Sequence, residues 1–350
     1  MFFDVWLPDF SFLFLSILVE GAPFILLGTI ISGFIDVYLP SGAMDRLLPK
    51  NRWRAVLVSG LLGIIFPVCE CAVVPVIRRL VKKGLPPSCA MTYMLAAPIV
   101  NPVTALSTAS AFKEMPYAMA GSRILFGYVI AVCVGLILLR FPVRAIMKSK
   151  IADEVDELEA QRKAEPAHDH DHCDHEQGHC DHAHEHGPTP THSHPEQGPK
   201  LMMALRASMR DFVDVAIYFV IGITIVAIVN TPPPVEQDVV PLRDIIDGTA
   251  DSTWGAPAAL MGLAFLLSLC STSDAFIAAT LDAFGYGSRL AFLVFGPMMD
   301  VKLLFLYSTI LTRKFILYLA IGLFISIGAI SVFMEPFFTP DPPVPRMSGK

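Results

Sequence analysis

The stretch Pro67–Pro75, PVCECAVVP, sets two thiols, a carboxylate and two prolines inside one of the most apolar parts of the chain. Proline removes a backbone donor and obstructs a continuing helix. Unpaired backbone groups are costly in hydrocarbon, so a break of this kind survives only where it is buried in protein or lines a cavity. The stretch therefore predicts a site inside a membrane protein, not merely a kink.

The surrounding composition agrees. Of 350 residues, 54% are hydrophobic and 17% charged, and the mean hydropathy is +0.57, too apolar for an ordinary soluble domain. Crossing a bilayer core takes about 20 helical residues. Apolar stretches of that length begin near Phe10, Ser88, Ala118, Asp211, Arg289 and Phe315. Two more, Ala55 to Leu80 and Pro257 to Phe284, are interrupted by polar or proline-rich patches and read as broken helices. No Lys or Arg precedes Arg46, so the first apolar segment reads as a retained span and not a secretory signal. The net charge of -6 comes largely from extramembrane segments and so says little about an acidic or basic partner; nucleic acid is not expected as one. Cys69, Cys71, Cys89, Cys133 and Cys270 fall in apolar segments, and Cys173 and Cys180 in a polar one, which points to reduced thiols.

The composition divides the chain into a first membrane unit (1–144), an acidic and His-rich linker (145–205), a second membrane unit (206–338) and a Pro-rich tail (339–350). Polar landmarks recur in the two units in the same order, at offsets of 190 to 202 residues. LVEGAPFILLGTI against FVDVAIYFVIGIT places Glu20 opposite Asp214 and Gly28 opposite Gly222. GLLGIIFPVCEC against GLAFLLSLCSTSD matches Gly60 with Gly262 and, with a one-residue slip, Cys69 with Cys270. MLAAPIVNP against LVFGPMMDV aligns Pro98 with Pro297 and Asn101 with Asp300. RILFGY against RKFILY aligns Arg123 with Arg313 and Tyr128 with Tyr318. The chain reads as an internal duplication.

Basic residues orient it. Arg46, Lys50, Arg52 and Arg54 flank one side of the first broken segment, and Arg78, Arg79, Lys82 and Lys83 the other. Both flanks look cytoplasmic, which suits a hairpin that enters, breaks and returns. Thr231 to Gly255 is acidic and reads as external. The expected fold is an all-α integral membrane protein of two inverted repeats. Each has three transmembrane helices plus one broken or re-entrant hairpin, or about eight membrane helices if the broken ones count as spans. The N-terminus is expected outside and the linker in the cytoplasm; eight full spans is the competing count.

The chemistry concentrates at the breaks. Cys69, Glu70 and Cys71, with Cys270 and Asp274 from the paired stretch CSTSD, offer a cargo site near the membrane midplane. Thiolates select soft or borderline species such as Cu(I), Zn(II) or a trivalent metalloid over Mg or Ca. Cys89 and Cys133 read as small packing residues. Ionisable residues inside spans are costly and tend to face a pathway. Glu20, Asp214, Asp300 and Lys302, joined by Asn101 in APIVNP, are expected to form a proton or cation route; the bland alternative is a structural polar network. All ten histidines lie in the linker: His168, His170, His172, His175, His179, His182, His184, His186, His192 and His194. With Cys173 and Cys180 they are expected to bind transition metal and to stay disordered until they do. No phosphate loop, H-E-x-x-H or G-x-S-x-G motif is present, so neither ATP-driven pumping nor hydrolysis is indicated.

FPVCECAVVPVIRRLVKKGLPPSCAMTYMLAAPIVNPVTALST, VEGAPFILLG and FGPMMDVK together resemble the bacterial predicted-permease family that includes YraQ-like proteins and organoarsenical efflux permeases. The resemblance implies an inner-membrane efflux permease, not an enzyme, with eight membrane helices and no required cofactor. Its C-E-C form and His-rich linker look most like a copper or zinc efflux branch, with Cys69 and Cys71 holding the cargo. The leading expectation is export of Zn(II) or Cu(I) by proton antiport. Efflux of trivalent organoarsenicals, a membrane thiol oxidoreductase and a metal sensor are the alternatives.

Overall fold

The computed structural model describes residues 2–39, 48–49, 51–66, 68–149, 153, 200–230, 248–249 and 252–338. The linker histidines, Cys173, Cys180, the tail 339–350 and Pro67 lie outside them. Among the described residues there are no strands. In chain order the first unit has α1 (Phe2–Tyr38), α2 (Arg52–Ile65), α3 (Glu70–Lys82), α4 (Pro87–Ala96), α5 (Pro102–Ala111), α6 (Pro116–Leu138) and the short α7 (Val143–Ile146). The second has α8 (Lys200–Asn230), α9 (Gly255–Leu267), α10 (Ser273–Ala279), α11 (Tyr286–Met298), α12 (Val301–Tyr307) and α13 (Arg313–Phe338).

Among the described residues five segments are long and apolar enough to cross a membrane: Phe10–Tyr38, Pro116–Leu138, Lys200–Ile228, Tyr286–Tyr307 and Arg313–Pro336. The span expected from Ser88 is instead two ten-residue helices, α4 and α5. The reason is local. Asn101 adopts an extended backbone, its side chain accepts from Val103 N at 2.9 Å, and Pro102 occupies the first helical position, so a new helix starts there. Asp300 does the same for α12, accepting from Leu303 N at 2.6 Å.

Contacts order the element ends. Arg79 at the end of α3 binds Asp36 at the end of α1 and, through two nitrogens, Asp211 in the first half of α8. A cavity of about 520 Å³ brings together Arg52 of α2, Pro86 and Pro87 before and in α4, and Leu138 of α6. These ends mark the linker end of the bundle. At the opposite end Arg289 of α11 lies 5.7 Å over the Phe112 ring after α5, Ser122 of α6 pairs with Tyr286 at 2.7 Å, and Glu335 of α13 accepts from Gly287 N.

Helix association in lipid relies on close backbone packing at small residues. α1 and α8 pack along much of their length. A Cβ on Gly33 would collide with the Ala204 carbonyl and the Ser208 hydroxyl, and one on Gly28 with Ala72 of α3. Nothing lies within 4 Å of a Cβ on Gly121. Gly33→Val is expected to destabilise the detergent-solubilised protein by about 2 kcal/mol. Gly121→Ala is expected to leave thermal unfolding unchanged; equal unfolding midpoints for both variants would contradict this packing.

Candidate functional site

Four helices begin at interior breaks: α3 after 66–69, α5 after 97–101, α10 after 268–272 and α12 after 299–300. The breaks converge. Gly63 of α2 abuts Ala97 and Val100 in the second break, and the Tyr93 hydroxyl donates to the Phe66 carbonyl at 3.2 Å beside the first. Ser268 closes α9 in the left-handed region, at φ 48° and ψ 44°. That conformation costs a non-glycine residue about 1–3 kcal/mol unless its surroundings hold it. Here the Ser268 hydroxyl donates to Phe265 O at 3.0 Å and accepts from Val301 N at 3.2 Å, tying the third break to the fourth.

At the centre is Lys302, 2% exposed. Its ammonium donates to the Ser268 carbonyl at 2.8 Å, the Leu269 carbonyl at 3.0 Å and Glu70 Oε1 at 3.3 Å, and lies 3.3 Å from Asp300 Oδ2. Glu70 is wholly buried and its Oε2 has no hydrogen-bond partner. Cys71 and Cys270 also lie within electrostatic reach of Lys302. One lysine facing Glu70 and Asp300 leaves an ionised group one negative charge in excess. A buried cluster of that kind has capacity for a proton or a cation.

Cys69 precedes α3 in extended backbone and makes no capping bond, while Cys71 packs in the core. Cys270 belongs to a separate polar group on α1 and the third break. Its thiol donates to Glu20 Oε1 at 2.8 Å and lies 2.9 Å from the Thr272 hydroxyl; Ser273 donates to the same Glu20 oxygen at 2.5 Å. Asp274 is held elsewhere, by the fully buried Arg123 of α6 at 2.7 Å. Arg123 also donates to Ser271 O and the Thr108 hydroxyl. Asp214 is exposed, 3.7 Å from Arg78, and lines a polar cavity of about 240 Å³ at the linker end with Asp211, Lys148 and Thr309. Asn101 caps α5, away from Lys302 in the bonding network. Among the described residues no group of three or more His, Cys, Asp or Glu side chains is placed to hold a metal ion.

The structure thus joins Glu70, Asp300 and Lys302 directly, brings Glu20 to Cys270, and pairs Asp274 with an arginine that serves only as a repeat landmark in the sequence. The signal that marks Arg123 is an arginine inside an apolar span, which is costly unless paired. The Ser268 and Leu269 carbonyls carry no such signal, because their role depends on backbone direction. Arg79 reads in the sequence only as flanking charge, and nothing there marks Asp36 or Asp211 as its partners.

A multi-pass helical membrane protein whose broken helices meet at buried charge has the build of a transporter. The comparisons give the same class. A family model described as "Predicted permease", ArsP_1, matches residues 7–335. A "Putative two-component membrane permease complex subunit" of Streptococcus mutans is 35% identical over 87% of this chain and 88% of its own. The "UPF0718 protein YcgR" of Bacillus subtilis is 33% identical over 87% of this chain and 89% of its own. The chain belongs to this predicted permease family. No solved structure matches it.

Removing one member of a buried ion pair strands the other, at a cost of about 3–5 kcal/mol. Lys302→Met is therefore expected to lower the thermal midpoint strongly, and adding Glu70→Gln with Asp300→Asn to recover most of the loss. Additive losses in this cycle would show that the charges are not coupled.

Proposed function

We propose that the chain is an inner-membrane permease that exports a soft or borderline cation, Zn(II) or Cu(I), from the cytoplasm in exchange for protons. The observation that carries this reading is the Lys302 ammonium, held by two carboxylates and two carbonyls freed by a helix break. Lys302 stands where a cargo cation would stand. In the empty protein it neutralises Glu70 and Asp300; arriving cargo displaces it or competes with it for Glu70. Cys69 and Cys71 flank Glu70 in sequence and supply the soft ligands, with Cys270 contributed from the third break. Protons taken up by the released carboxylates and by Glu20 balance the charge.

The fold supports a specific route to alternating access. In this reading α2 with α3, and α9 with α10, are re-entrant hairpins that open to opposite ends, so the two units are inverted repeats. Asp214 and the polar cavity beside it give access from the linker end, where the His-rich segment would gather metal. Gly28 and Gly222 are counterparts, yet Gly28 lies on Ala72 of α3 and Gly222 on the Lys302 backbone of α12. Offsets of 201 and 199 residues carry Ala72 onto Ser273 and Lys302 onto Val103. An exchange of roles between the repeats seats Gly222 on Ser273 and Gly28 on Val103, and exposes the central charges to the other end. Spin labels at Leu27→Cys and Leu106→Cys, with Cys133, Cys173 and Cys180 removed, are expected to show a second, shorter α1–α5 distance when cargo and a pH gradient are supplied. A single distance under all conditions sinks the exchange.

A second reading, efflux of trivalent organoarsenicals, is favoured by the Cys270, Thr272 and Ser273 cluster, which offers a thiol without a gathered set of metal ligands. Flux into inside-out vesicles separates the two. With Cys69→Ser and Cys71→Ser together, metal flux is expected to fall by roughly tenfold or more at unchanged protein abundance. Unchanged metal flux overturns the export reading, and methylated-arsenite flux that survives this variant but falls with Cys270→Ser selects the second.

A further inference from the structure

We propose that the groove between α6 and α13 holds one acyl chain of an anionic glycerophospholipid, with the lipid phosphate bound at the linker-end mouth. The groove has a volume of about 560 Å³ and is walled by Cys133, Ile137, Phe141, Phe315, Gly322 and Leu323, among others. Its wall is apolar but for two hydroxyl-bearing side chains, Tyr318 and Ser326, and the Ser326 hydroxyl is turned back onto the Leu323 carbonyl at 3.2 Å. Such a wall suits a hydrocarbon chain and offers a polar solute little to bond.

The mouth is different. α7 doubles back onto the start of α13, with Thr312 N donating to Ile146 O at 3.1 Å, the Thr312 hydroxyl to Ala145 O at 3.1 Å, and Lys148 N to Ile310 O at 2.9 Å. Arg140 and Arg144 directly precede the lining residues Phe141 and Ala145, and Arg313 and Lys314 directly precede Phe315, so this clasp sets four cations next in sequence to the linker end of the groove. All four are exposed. Among the described residues Asp153, 3.1 Å from Arg144, is the carboxylate paired there. Basic pockets between transmembrane helices recognise anionic headgroups. A zwitterionic lipid would fill the groove equally well but bring no net negative charge to Arg140, Arg313 and Lys314. A second copy docked about a two-fold axis along the membrane normal would press this basic mouth against itself. Charge complementarity therefore selects the anionic lipid.

Cys133, exposed and in the groove wall, provides the probe. The full chain, with Cys133 as its sole cysteine and bimane attached there, is reconstituted in phosphatidylcholine vesicles containing either brominated phosphatidylglycerol or brominated phosphatidylcholine. Brominated phosphatidylglycerol is expected to quench at about fivefold lower mole fraction or less, since each basic residue near the surface contributes a factor of about five. Arg140→Gln, Arg313→Gln and Lys314→Gln together are expected to remove the preference while leaving the thermal midpoint in place. Gly322→Leu, which projects into open space in the groove, is expected to reduce quenching by both lipids. Equal quenching by the two lipids in the parent, a preference that survives the triple variant, or efficient Cys133 cross-linking between copies in place of quenching would each overturn the proposal.

Discussion

The interaction on which the rest of the architecture depends is the seating of the Lys302 ammonium among Glu70, Asp300 and the carbonyls of Ser268 and Leu269. A helix that breaks inside a membrane leaves carbonyls at its end that must find donors. A lysine in the same depth must find acceptors. Each defect supplies what the other lacks. The left-handed Ser268 then becomes intelligible: its conformation ends α9 and aims its carbonyl at Lys302, while its hydroxyl fixes the start of α12, which carries that lysine.

A second buried cation repeats the logic across the molecule. Lys302, on a helix of the second unit, binds Glu70 at the broken stretch of the first; Arg123, on a helix of the first unit, binds Asp274 beside the broken stretch of the second. Each unit therefore lends a cation to the other's break. The two pairs differ in a way that assigns them different work. Arg123 is permanently charged and planar, and it holds Asp274, the Ser271 carbonyl and Thr108 in one fixed fan. Lysine is a compact charge on a flexible stem with three rotatable donors. The arginine pair is suited to holding the units together, the lysine pair to giving way.

This division also explains which parts of the site were legible in the sequence. Composition and apolar length marked the membrane segments, and the prolines with Asn101 and Asp300 marked the interruptions, because capping and proline chemistry are local. Glu70 and Lys302 stood out because charge in hydrocarbon is rare. Their pairing was not legible, since it joins residues 232 positions apart through the docking of α12 on α3. Asp274 was grouped with the thiols from its sequence neighbourhood alone; its actual partner, 151 positions away, reaches it from α6 where α10 packs against α5. The ten-residue α4 and α5 hid within a stretch whose hydropathy alone reads as one span.

The arrangement further constrains what can move. α1 and α8 pack through Gly21, Gly33 and their large or backbone partners, so separating them would open voids along a close interface. Their contacts with the other elements also run through glycine: Gly28 lies on Ala72 of α3 and Gly222 on the Lys302 backbone of α12. At the linker end Arg79 ties Asp36 of α1 and Asp211 of α8 to the same helix that carries Glu70. A displacement of the α1–α8 pair from α3 must therefore break the Arg79 pairs and part Gly28 from Ala72, two residues from Glu70. Both contacts lie on one helix, so release of the Arg79 pairs and loosening beside the buried carboxylate are linked along α3.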